Sequence, residues 1–123
     1  MSRKISSYHD RFIKAALESS ATICLPESND PRIKVATKKL NNLGIKAINA
    51  NQLKNCKEKY VELISRKKFT NNWSVDMKSN ILKSNLNLSL AALENNDIDC
   101  VIAGVDHSTS QVLRSSIRII GVN

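Results

Sequence analysis

The stretch best equipped for chemistry is Asp99-Cys-Val-Ile-Ala-Gly-Val-Asp-His-Ser-Thr-Ser-Gln-Val-Leu-Arg114. It reads as a short apolar strand, a turn containing Gly104, and a helix that begins among hydroxyls. In open parallel sheets, ligands bind outside the carboxyl ends of the strands, and this turn sits at such an end. The first N–H groups of a helix lack intrahelical acceptors and lie at the positive end of its dipole, so they favour anions. Ser108 can cap the helix, and Thr109 and Ser110 add hydroxyl donors. Val112, Leu113, Ser116, Ile117 and Ile120 share the packing face at helical spacing. His107, Gln111, Arg114 and Arg118 follow one another at spacings of 4, 3 and 4 on the opposite face. The guanidinium fork matches phosphate oxygens, so this face suits a phosphorylated ligand. The plainer alternative makes Ser108 only a cap, His107 a turn residue, and both arginines solvated surface.

Two other stretches carry chemistry-bearing residues. Leu25-Pro-Glu-Ser-Asn-Asp-Pro-Arg32 also links a strand to a helix at the same end of the sheet. Glu27 and Asp30 there are suited to positioning a ligand hydroxyl or amine, with Asp30 as a simple N-cap the alternative. Ser65-Arg-Lys-Lys-Phe69 sets three bases side by side, either a phosphate clamp or a solvated patch. No His/Cys cluster has metal-ligand spacing, so no metal is expected. No Gly-x-Ser-x-Gly elbow exists, and His107 and Ser108 are adjacent in sequence. That is poor geometry for a nucleophile and its base, so no catalytic residue is assigned.

The elements around these turns alternate. Residues 5–17 carry apolar side chains at 5, 8, 12, 13, 16 and 17, a helical spacing. Residues 21–25 form an apolar strand ended by Pro26. Asp30-Pro31 opens a second helix and Gly44 stops it. A second strand covers residues 45–49. A helix is expected over 54–64, a loop over 67–74, and one longer helix over 76–93. A third strand covers 99–103, and the last helix runs over 108–120. Strands alternating with helices predict a mostly parallel sheet covered on both faces, a three-layer α/β/α fold. Three strands are few for such a sheet, so other strands are expected to complete it.

Composition sets the outer limits. The chain has 123 residues, the size of one domain. Apolar residues make up 41% and charged residues 24%, an ordinary globular balance that excludes disorder. No apolar run is long enough for a membrane span, and no signal peptide opens the chain. The three scattered cysteines fit reduced thiols in a cytoplasmic protein. The net charge of +8 is uneven: residues 34–83 carry twelve bases against three acids. A basic segment attracts polyanions. Aromatic residues are only 4% of the chain, however, which leaves few stacking platforms for single-stranded nucleic acid.

The 25–32 stretch, together with residues 103–114 and the following Ile117-Arg-Ile-Ile-Gly121, resembles the amino-terminal part of the phosphate acetyltransferase and phosphate butyryltransferase family. Ser65-Arg66-Lys67-Lys68 resembles the basic element that the family carries between them. The resemblance runs roughly from residue 5 to 121, with the motifs in the same order. It implies a single amino-terminal α/β/α domain over residues 1–123, an incomplete first domain with the second domain absent. It implies acyl transfer between acetyl-CoA and inorganic phosphate, giving acyl phosphate and CoA, without a metal or bound cofactor; coenzyme A is a substrate. Arg66 and Arg114 match the family's coenzyme A arginines, and His107, Ser108 and Thr109 match its cleft loop. The implied partners are these small molecules and either a second copy of the chain or a separately encoded second half. A non-catalytic binding or regulatory remnant is the alternative, and a basic nucleic-acid binder ranks below both. Two residues depart from the family pattern: Asp106 stands where a small or neutral residue is usual, and Phe69 replaces a glycine.

Overall fold

The computed structural model of the chain describes residues 2–121, with side chains in the first helix from Asp10 onward. Met1, Val122 and Asn123 of the expected domain lie outside the described residues, as do the side chains of Ile5 and Tyr8. Helix α1 spans Ser2–Ser19. Strand β1, Thr22–Leu25, is followed by α2, Pro31–Asn42, and β2, Lys46–Asn49. A 3-10 segment, Ala50–Cys56, leads into α3, Lys57–Ser65. Then come α4, Val75–Ile81, and α5, Asn85–Glu94. Strand β3, Cys100–Val101, and α6, Thr109–Ile119, complete the order.

All strand pairs are parallel, in the order β2-β1-β3. Alternation along the strands sends side chains to opposite faces. Ile23, Leu25 and Ala47 pack with Ile33 and Leu40 of α2 on one face. Cys24, Ile48 and Val101 turn to the other, against Leu63 and Ile64 of α3, Leu86 and Leu90 of α5, and Ile119 of α6. Two apolar layers on one sheet make the expected α/β/α arrangement.

Local chemistry explains the boundaries. Asp30 accepts from the Arg32 N–H as N-cap of α2, and Pro31 follows at the first helical position. At the other end, Gly44 N donates to Asn41 O and Ile45 N to Leu40 O, a Schellman stop with Gly44 at φ 89°. The Asn41 side chain then bonds both the N–H and the C=O of Ala47, at 3.0 Å each. That satisfies an outward-facing pair on the edge strand β2. Tyr60 of α3 donates to Asp97 at 2.6 Å, fixing the turn that leads into β3.

Several expected elements are altered. The single helix over 76–93 is two helices. Ser84 caps α5 by accepting from the Asn87 N–H, and the Asn87 amide donates to the Ile81 carbonyl. This local bonding replaces helical continuation. The helix expected from residue 54 begins with a 3-10 segment. The third strand is only two residues long. On α6 the packing face is rotated: Ile119 is fully buried, whereas Leu113 and Ile117 are 56% and 55% exposed.

Candidate functional site

The sheet order places the site before any side chain is considered. From β1 the chain moves through α2 to β2 on one side of β1. It then crosses back through α3, α4 and α5 to β3 on the other side. The order therefore reverses between β1 and β3, and helices leave on opposite faces. At such a switch point the two loops diverge beyond the strand ends and open a crevice. Here the loops are residues 26–30 after β1 and 102–108 after β3. A cleft of about 550 Å³ lies there, lined by Pro26, Glu27, Ser28, Asn29, Asp106 and His107 from these loops. Lys54, Lys83, Ser84 and Asn85 line its other side.

Glu27 organises this cleft from within. Only 4% of the residue is exposed. Its Oε1 accepts from the backbone N–H of Gly104 at 2.8 Å and of Val105 at 3.0 Å. Its Oε2 accepts from the backbone N–H of Asp106 and, at 2.8 Å, of His107. The same oxygen lies 3.0 Å from His107 Nδ1. Consecutive N–H groups turned inward form an anion-binding concavity, and here the anion is the protein's own carboxylate. Burial pushes the Glu27 carboxyl upward, but donors from Val105, Asp106, the His107 ring and Gly104 outweigh it, lowering the pKa to about 2. Gly104 supports the bend at φ 127°, a backbone conformation that side-chain-bearing residues rarely adopt. The sequence suggested that Glu27 meets a ligand group; the structure gives that carboxylate to the 104–107 loop.

The expected ligand residues are distributed as follows. His107 lies in the cleft. Ser108 is the N-cap of α6: its Oγ accepts from the Gln111 N–H at 3.2 Å, and the Gln111 side chain accepts from the Ser108 N–H at 2.8 Å. This capping box folds Gln111 back onto the turn. Thr109 opens α6 and is exposed. Arg114 is exposed on α6, a turn and a half beyond Ser108, outside the residues lining the cleft. Arg66 is not brought near them. It caps α3 and lines a separate hollow of about 360 Å³ with Lys67, Glu94, Asn95 and Asn96. Helix α5 begins at the His107 cleft and ends at this hollow, so its ten residues hold the two apart by about 15 Å.

Two lysines and two carboxylates meet in the cleft. Lys54 and Lys83 are exposed on its wall, and the α5 amino end opens beside them at Ser84 and Asn85. The Glu27 charge is already solvated by backbone donors. Asp106 also lines the cleft, near the Asp30–Arg32 pair, where Arg32 donates to Asp30 at 2.8 Å. Sequence reasoning singled out neither Lys54, Lys83 nor Ser84. The only signal for the two lysines was membership of the basic 34–83 segment, and Ser84 lies just beyond it. Among the described residues no group of three metal-ligating side chains gathers, and no helix is long and apolar enough to cross a membrane.

A doubly wound parallel sheet with a polar crevice at its switch point defines an α/β protein whose candidate site lies between the loops after β1 and β3. The family model described as phosphate acetyl/butaryl transferase matches residues 34–123, from the first turn of α2 through the 104–107 loop and α6. The chain belongs to that phosphate acyltransferase family. No individual curated protein matches it.

Proposed function

We propose that the chain serves acyl transfer between an acyl-CoA, with acetyl-CoA the first choice, and inorganic phosphate, and that the β1–β3 cleft holds part of the anionic substrates. The observation that carries this reading is the position of the cleft. It lies at the switch point of a chain that belongs to the family, and Lys54, Lys83 and the start of α5 line it. In the reaction a phosphate oxygen attacks the thioester carbonyl. The tetrahedral oxyanion collapses, the C–S bond breaks, and the CoA thiolate leaves with the electron pair. Stabilising that oxyanion is usually the largest catalytic contribution.

In this reading His107, Ser108 and Thr109 face phosphate or the acyl oxygen, and Arg114 meets coenzyme A phosphates further along α6. Arg66, at the far end of α5, contacts only a remote part of so long a ligand. Calorimetric titration with coenzyme A tests the reading, with Arg114→Ala and single-stranded DNA as controls. Saturable binding that Arg114→Ala weakens by about 1–3 kcal/mol supports it, the scale of a charge-assisted contact. Equal affinity for the DNA, falling steeply with salt, contradicts it.

A further inference from the structure

We propose that Glu27 is a positioning residue that holds His107 in its Nδ1–H tautomer and so presents Nε2 to the cleft. A carboxylate is an acceptor only. Glu27 Oε2 lies 3.0 Å from Nδ1 of the imidazole, so the proton of that contact belongs to His107. The same Oε2 accepts the backbone N–H of His107, so main chain and ring are anchored to one atom. The remaining nitrogen, Nε2, has no partner among the described residues, and the ring lines the cleft with Lys54 and Lys83. A carboxylate behind an imidazole is the general means of fixing which ring nitrogen meets a ligand.

The placement is not a by-product of surface pairing. Glu27 comes from the loop after β1 and His107 from the loop after β3, the two loops that frame the switch point. Four backbone donors hold the carboxylate before the ring is added. A neutral imidazole free in water prefers the Nε2–H tautomer, so the arrangement reverses the intrinsic preference.

The test is multiple-bond proton–nitrogen NMR on the full chain with 15N-labelled histidine. The substitution His9→Gln leaves His107 as the one imidazole, and the spectrum is recorded where that ring is neutral. The expected spectrum has the proton on Nδ1. In Glu27→Gln, the Nδ1–H form falls from the dominant to the minor species. A purely space-filling role for Glu27 would leave the tautomer unchanged in Glu27→Gln, and that result overturns the proposal. Should Glu27→Gln fail to fold, the Glu27-containing chain decides alone: Nδ1–H supports the assignment, and Nε2–H overturns it.

Discussion

Glu27 Oε2 and His107 Nδ1 lie 3.0 Å apart although the residues are eighty positions apart in sequence. That contact joins the two loops flanking the point where the strand order reverses. It also changes what the glycine-containing turn is for. The inward N–H groups of residues 104–107 are filled by an internal carboxylate, so the turn is a built wall of the cleft and not an open anion cup. In the proposed function an incoming anion meets His107, Lys54, Lys83 and the start of α5 instead.

Removal of the carboxylate should therefore be costly. Glu27→Ala leaves four inward N–H groups and an imidazole N–H without their acceptor. Losing a partner from a buried, charge-assisted network costs about 3–5 kcal/mol. Urea unfolding should show that loss as a lower midpoint with little change in slope. A loss under 1 kcal/mol would mean that water replaces the carboxylate freely.

The same group gives the fold an acid dependence. An unfolded glutamate titrates near 4.3, and in the folded chain the pKa is lowered to about 2. A depressed folded value means that the unfolded state takes up protons first as pH falls. The stabilisation is complete above about pH 5 and is lost as pH falls toward 2. Unfolding of the native sequence and of Glu27→Gln, compared across that window, should converge on acidification. A constant difference would show that Glu27 is not ionised in the fold.

Ser108 has two separable roles. Ser108→Ala should cost about 1 kcal/mol through the lost cap. Ser108→Asp keeps a capping oxygen and should keep stability, yet it brings a negative charge to the start of α6. Coenzyme A affinity should fall in both variants, while thermal unfolding separates them.

Lys54 and Lys83 should matter more than Arg66 for inorganic phosphate. Each exposed lysine contributes about 0.5–1 kcal/mol of attraction, or roughly two- to five-fold in Kd. Lys54→Gln and Lys83→Gln should weaken phosphate binding by that factor, more at low salt than at high. Arg66→Gln, at the other end of α5, should leave phosphate binding unchanged. Calorimetry at two ionic strengths distinguishes these outcomes.

The sequence carried the layers better than the contacts. Strand alternation, Asp30-Pro31 and Gly44 located β1, α2 and β2 because each signal is local. The break at Leu82-Lys83-Ser84 was hidden because apolar spacing continues across it: Leu82 and Leu86 are both buried. The competing Ser84 cap and the Asn87 bond to the Ile81 carbonyl interrupt the helix. The rotated face of α6 was hidden for a similar reason, since Leu113 and Ile117 are apolar yet exposed. Of the candidate site, His107 and the α6 start were legible as a turn at a strand end. The destination of Glu27 and the separation of Arg66 from His107 were not, because both depend on sheet order and on the length of α5.

In the proposed function an anionic acyl-transfer substrate sits at the β1–β3 switch point. Amide NMR of the 15N-labelled chain titrated with coenzyme A tests it most directly. Saturable shifts are expected, concentrated at residues 27–29, Lys54, 83–86 and 104–110, with Arg114 following. Shifts spread over the lysines of residues 34–83 with none at 104–110, or no shifts in a folded chain, would contradict it.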